Sequence, residues 1–203
     1  GYDPAGRLIE AEGPEGTVFR YAYDANGNRV MSSDGATEAY STNRLDQYTA
    51  IGDRALAWDA DGNLVSDSGG AGATVYAYDI FDRLVRVETG GDVWGFEYDA
   101  MGNRSAVIHN GERREYLHDP SRAGSVIGEF DGSGTLVAHY ASAAGPMVRL
   151  GADGQRQFYA YDPRGNTRLL TTGDGTVVNA YEYSPFGVVE TVAEAVETPF
   201  QFG

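Results

Sequence analysis

The chain has 203 residues, 41 % of them hydrophobic, no cysteine, and a formal charge of −15 from 30 acidic against 15 basic side chains. That hydrophobic content excludes disorder by composition, and the lack of cysteine excludes disulfides and thiolate metal centres. The acidity excludes a general affinity for nucleic acid or for anionic membrane surfaces. Every basic residue is arginine, Arg113 and Arg114 are the only adjacent pair, and no apolar run is long enough to span a bilayer. With 28 glycines, 14 tyrosines and no long Ala/Leu/Glu/Lys tract, the composition is that of strands separated by turns. The start at Gly1, without methionine or leader, reads as an excised piece.

The first predicted element opens at Tyr2 and Asp3, and the same pair returns throughout the chain. In "VFRYAYD", Phe19, Tyr21 and Tyr23 share one face of a strand, while Val18, Arg20 and Ala22 share the other. Asp24 and Gly27 then predict a turn, because Asp hydrogen-bonds backbone two residues on and Gly supplies a positive φ. The pattern recurs at Trp58 and Asp59, at Tyr78 and Asp79, and in "DVWGFEYD", which ends at Tyr98 and Asp99 with Gly102 beyond. It returns at Tyr161, Asp162 and Gly165, and at Tyr183 with Phe186 and Gly187. Second strands such as Arg83–Gly90 follow, and "SSDGAT" (Ser32–Thr37) and "TTGDGT" (Thr171–Thr176) turn the chain back. One unit is one β-hairpin. Arginines after the turns (Arg7, Arg29, Arg83, Arg104) are expected to reach back to the turn Asp and fix register.

Taking the aromatic before Asp as an anchor, units fall at Tyr2, Tyr23, Tyr40, Trp58, Tyr78, Tyr98, His118, Tyr140, Tyr161 and Tyr183, with steps of 17 to 22 residues. With the tyrosines two places before an anchor (Tyr21, Tyr76, Tyr116, Tyr159 and Tyr181) included, only Tyr48 lies outside this lattice. A lone hairpin is marginal in water, so stability must come from stacked neighbours. The expected fold is all-β, a tandem array of hairpins.

The recurring Tyr-Asp-x-x-Gly-Asn/Arg phrase resembles the YD repeat, also called the RHS repeat, over the whole chain. Phe158–Val189 is similar to the RHS-repeat-associated core, with Pro185, Phe186 and Gly187 matching its Pro-Phe-Gly and Ser184 in place of the commoner Asp. "TPFQFG" (Thr198–Gly203) resembles the next element of that core. The resemblance implies a repeat array over residues 1–157 and the start of a truncated core over 158–203. It further implies a continuous spiralling sheet that forms part of a shell or barrel, as in polymorphic toxins, toxin-complex proteins and teneurins. Such a shell encloses or presents a C-terminal effector, so the expected role is non-catalytic scaffolding in a secreted or surface-displayed protein. The expected partners are other segments of the same polypeptide, without nucleic acid and without membrane insertion.

Sharper chemistry finds little support. "DADGN" (Asp59–Asn63), Asp131–Gly134 and Gly173–Gly175 have calcium-ligand residues without the EF-hand spacing, leaving turns as the first reading and a weak cation site as the second. His109, His118 and His139 fit no zinc spacing, and His118 stands where the lattice has Tyr. No Gly-x-Ser-x-Gly occurs, and the carboxylates recur with the turns rather than breaking the repeat as a catalytic pair would. No catalytic, metal or cofactor residue is therefore assigned. The alternative function is a surface adhesin binding glycan or protein through aromatic rows, against the plainer reading that those rows are core.

Overall fold

The computed structural model describes residues 1–200 except 14–15, 34–35, 70–71, 123 and 143–145. The described residues form nineteen β-strands and no helix, so the chain is all-β. The return turn expected at Ser32–Thr37 and the end of the Thr198–Gly203 element lie partly outside the described residues. Two compact units divide the chain, Gly1–Trp94 and Gly95–Gly203, and β10 (Asp92–Tyr98) contains the division.

The N-terminal unit holds β1 (Glu10–Glu12), β2 (Val18–Tyr23), β3 (Arg29–Ser33), β4 (Thr37–Thr42), β5 (Tyr48–Ile51), β6 (Arg54–Trp58), β7 (Leu64–Gly69), β8 (Gly72–Tyr78) and β9 (Leu84–Thr89). Each pairs antiparallel with the next in sequence. The C-terminal unit repeats this with β11 (Arg104–His109), β12 (Glu112–His118), β13 (Val126–Asp131), β14 (Leu136–Ser142) and β15 (Pro146–Gly151). It continues through β16 (Arg156–Tyr161), β17 (Thr167–Thr172), β18 (Val177–Tyr183) and β19 (Val189–Glu194). Neighbour-to-neighbour pairing follows from the short turns, since a two- to five-residue connection can join only antiparallel strands.

A register slip marks the end of eight repeat strands. It falls between Ala22 and Tyr23, Ala57 and Trp58, Ala77 and Tyr78, Leu117 and His118, Ala160 and Tyr161, and Glu182 and Tyr183. In two units it falls at Ser41/Thr42 and Ala141/Ser142. The repeat anchors there are Thr42 and Ser142, two residues beyond the expected Tyr40 and Tyr140. Aromatic character misled the sequence reading, because position two before the anchor is aromatic in most units too.

Burial separates the units. Phe19 and Tyr21 are the buried hydrophobic side chains of the first, against Ala106, Ala138, Tyr140, Tyr159, Leu170 and Tyr181 in the second. Every buried polar residue described, from Glu129 to Thr198, also belongs to the second.

Candidate functional site

The residues singled out by the repeat build a clamp at the end of each hairpin. At Asp3, Oδ1 accepts the backbone N–H of Ala5 and of Arg7, each at 2.9 Å, and Oδ2 accepts Arg7 Nε at 2.7 Å. The Asp3 N–H donates to Arg7 O and the Gly6 N–H to Asp3 O, both at 2.9 Å. The same bonds recur at Asp24, where Asn28 closes the clamp, at Asp59 with Asn63, and at Asp99 with Asn103. Arg83 closes it at Asp79 and Asn166 at Asp162. One carboxylate thus satisfies backbone donors that a tight turn would otherwise leave open. Gly27 at φ 96° and Gly102 at φ 87° hold the left-handed position, which Asp46 and Asp82 occupy at φ 58° and 59° in two units lacking Gly.

These contacts set the charge state of the clamps. The Asn63 backbone N–H holds Asp59 below the usual carboxylate range, the Arg83 side chain does so for Asp79, and the Asn103 side chain for Asp99. Of the arginines expected to pair with turn carboxylates, Arg7 and Arg83 do so at 2.7 and 2.6 Å. Arg29 and Arg104 stand one residue later, past the clamp position, and lie over rings instead: Arg29 over Tyr21 and Tyr40, Arg104 over Phe96. Successive strand residues point to opposite faces, which explains the change of partner.

Anchor side chains tie each repeat to the one before. Tyr23 Oη donates to Leu8 O at 2.8 Å, Tyr78 Oη to Leu64 O at 3.0 Å, and Tyr183 Oη to Thr167 O at 2.9 Å. Trp58 Nε1 donates to Tyr48 O at 2.8 Å. His118 Nε2 lies 3.0 Å from Arg104 O, so it occupies the lattice position of a tyrosine. Each acceptor stands six residues after the preceding anchor, and Tyr48 obeys this count only from Thr42. Tyr48 itself, outside the expected lattice, accepts the Arg29 N–H at 2.8 Å and compensates for the missing aromatic at Thr42. Neighbouring turns are stitched as well: Arg7 donates to Asp24 O, Asn28 to Asp46 and Asn63 to Asp82, at 2.7 to 2.9 Å.

The C-terminal unit adds a feature that the repeat did not announce. Residues 195–200 leave β19 and lie as a strap over the aromatic face. Asn179, fully buried, accepts the N–H of Ala195 and of Val196 and donates to Val196 O and Tyr181 Oη. Thr198 Oγ1 and Tyr159 Oη are 2.5 Å apart, and the Phe200 ring stands edge-on to Tyr140 at 5.0 Å and Tyr159 at 6.1 Å. Glu197 pairs with Arg114 Nη2 at 2.9 Å. Arg114 Nε also meets the buried Glu129 at 3.2 Å, and Glu129 accepts Tyr140 Oη at 2.5 Å. Burial first, then the Glu129 hydrogen bond, pushes the Tyr140 phenol far up; burial pushes Tyr116 and Tyr159 up to about 12. The "TPF" of Thr198–Phe200 was the only sequence signal for the strap, and Asn179 carried none.

Tyr2, Asp3, Tyr23, Asp24, Gly27, Trp58, Asp59, Tyr78, Asp79, Asp99, Gly102, Tyr161, Asp162, Gly165, Tyr183 and Gly187 all lie in strand ends, bridges or clamps. Ser184 takes the Asp part ahead of Phe186, its hydroxyl accepting the Val188 N–H at 3.0 Å. Among the described residues no group of three or more His, Asp or Glu side chains is placed to hold a metal ion, and no helix is long and apolar enough to cross a membrane.

Clamped hairpins in this register define a YD-repeat protein. The family model described as Teneurin YD-shell matches residues 1–195, and the chain belongs to that family. The tRNA3(Ser)-specific nuclease WapA of Bacillus spizizenii is 28 % identical over 195 residues, covering 92 % of this chain and 8 % of the relative. Double-stranded DNA deaminase toxin A of Burkholderia cenocepacia is 29 % identical over 233 residues, covering 96 % and 16 %. The chain therefore spans well under two thirds of these relatives. A solved Tc holotoxin pore of Photorhabdus luminescens aligns with a TM-score of 0.44 at 15 % identity, covering 99 % of this chain and 15 % of that one.

Proposed function

We propose that this chain is a non-catalytic wall segment of a YD-repeat shell, which encloses or presents an effector carried elsewhere on the same polypeptide. One observation carries the reading: the repeat's Asp, Gly, Asn and aromatic residues are engaged in clamps, stitches and inter-repeat bonds, and none converges on a reaction site. The relatives support it, because the same segment accompanies a tRNA nuclease in one and a DNA deaminase toxin in another while making up 8 % and 16 % of their lengths. Two unrelated reactions cannot both reside in a shared wall. Residues 158–203 are read as the start of the associated core, and the toxin and teneurin relatives support a secreted or surface-displayed protein.

A protease-protection experiment on the native polypeptide tests this. The segments adjoining the array resist cleavage while it is intact and become cleavable when Asp79→Ala and Asp99→Ala open two clamps. Nuclease or deaminase turnover by the isolated 203-residue chain contradicts the proposal. Recognition of glycan or protein through the repeat face is the second reading, favoured by the half-exposed aromatics of the N-terminal unit, where no strap lies over Tyr76 or Tyr78 among the described residues. A glycan array probed with the chain separates the two.

A further inference from the structure

The strap of the C-terminal unit sits on a constellation that the N-terminal unit repeats without a strap. Arg54 stands four residues before the Trp58 anchor, and Arg114 four before His118. Asp67 pairs opposite Leu56 and Glu129 opposite Tyr116, each of those two places ahead of its anchor. Across the next ladder Asp67 faces Thr74, two before Tyr76, and Glu129 faces Ala138, two before Tyr140. Both arginines pair with their carboxylates, Arg54 with Asp67 at 2.9 Å and Arg114 with Glu129 at 3.2 Å. Arg54, Asp67 and Tyr76 are thus the register equivalents of Arg114, Glu129 and Tyr140.

In the C-terminal unit this trio grips a peptide: Arg114 gives its second edge to Glu197, and Tyr140 meets the edge of Phe200. In the N-terminal unit Arg54 uses Nη1 on Asp67, its other N–H groups have no partner among the described residues, and its side chain is 43 % exposed. Tyr76 is half-buried and stands two strand residues beyond Thr74, which faces Asp67, so it shares a sheet face with that carboxylate. In a chain of charge −15, an incoming carboxylate needs a local cation with a spare edge, and Arg54 supplies one.

We propose that Arg54 and Tyr76 form a seat for an extended polypeptide segment bearing a carboxylate three residues ahead of an aromatic ring, as Glu197 stands ahead of Phe200. This rests on the wall reading and adds which residues grip the enclosed polypeptide. Arg54 binds the carboxylate through its free N–H edge, Asp67 holds the guanidinium in place, and the Tyr76 ring receives the aromatic edge-on.

The test uses the full chain and a synthetic peptide of the strap sequence, AVETPFQFG, with photoreactive benzoyl-phenylalanine at its first Phe position; adducts are mapped by mass spectrometry. Crosslinks are expected on β6–β8 of the N-terminal unit. Arg54→Gln, which alters an exposed side chain and whose fold is checked by circular dichroism, lowers their yield about tenfold, as does Glu→Gln in the peptide. Adducts confined to β14–β16 and unchanged in Arg54→Gln, or no adducts at all, overturn the seat. Neither outcome touches the wall reading, which stands or falls on protease protection.

Discussion

The two units carry the same hairpin phrase yet bury it differently. In the N-terminal unit the aromatics other than the buried Phe19 and Tyr21 are at most half-buried, with Tyr40 T-shaped to Tyr48 at 5.4 Å and Arg7 and Arg29 lying over neighbouring rings. In the C-terminal unit the aromatic face lies under the strap, and polar residues such as Asn179 and Glu129 are fully enclosed. The return turns do not follow this division: Gly90–Gly91 in the first unit and Asn110–Gly111 in the second are two-residue turns with both φ positive, while Gly13–Thr17 in the first shares the clamp closure at the opposite hairpin end with Asp131–Thr135, Gly151–Gln155 and Thr172–Thr176 in the second. A YD array therefore needs no cover to form its hairpins; the cover converts a ladder into a core.

The largest test of that contrast is to remove the strap. Deleting residues 195–203 opens the Glu129–Arg114–Tyr140 network, and loss of about 3–5 kcal/mol from the C-terminal unit is expected. Hydrogen exchange should then rise in β14–β18 and stay unchanged in β2–β8. Asn179→Ala keeps the strap but takes away the bonds to the Val196 N–H and C=O, while the Ala195 N–H keeps Val178 O and the Tyr181 hydroxyl keeps Glu194, for about 1–3 kcal/mol by urea denaturation. Alkali sharpens the comparison. Tyr116 and Tyr159, with phenols pushed up to about 12 by burial, contribute stability that is complete below pH 10 and is lost as pH rises towards 12. Tyrosinate absorbance should show this late phase in the full chain and lose it with the strap deleted. At the clamps, Gly102→Ala forces a side chain into φ 87° and should lower stability by about 1–2 kcal/mol. The smallest effect is expected from Asn63→Ala, which removes the exposed side-chain bonds to Asp82 and Asp59, keeps the backbone bond of the clamp, and should cost about 0.5–1 kcal/mol.

The repeat made most of this legible. Asp, Gly and the i+4 Asn or Arg encode the clamp locally, so Asp24, Asp59, Asp79, Asp99 and Asp162 could be placed from spacing alone. The anchors at Thr42 and Ser142 could not, because the slip in strand register that defines an anchor belongs to the backbone and Tyr40 and Tyr140 mimic it in side chain. The strap was invisible for a different reason. Its partners Arg114, Tyr159 and Asn179 are 83, 39 and 16 or 17 residues away, and no local pattern encodes such contacts.

Electron cryomicroscopy of the native polypeptide containing this chain tests the central claim most directly. The account predicts that residues 1–200 form part of a hollow YD-repeat wall, with polypeptide density of the same molecule against the aromatic face near Arg54 and Tyr76. A free-standing array with no enclosed density, both faces open to solvent, would contradict it.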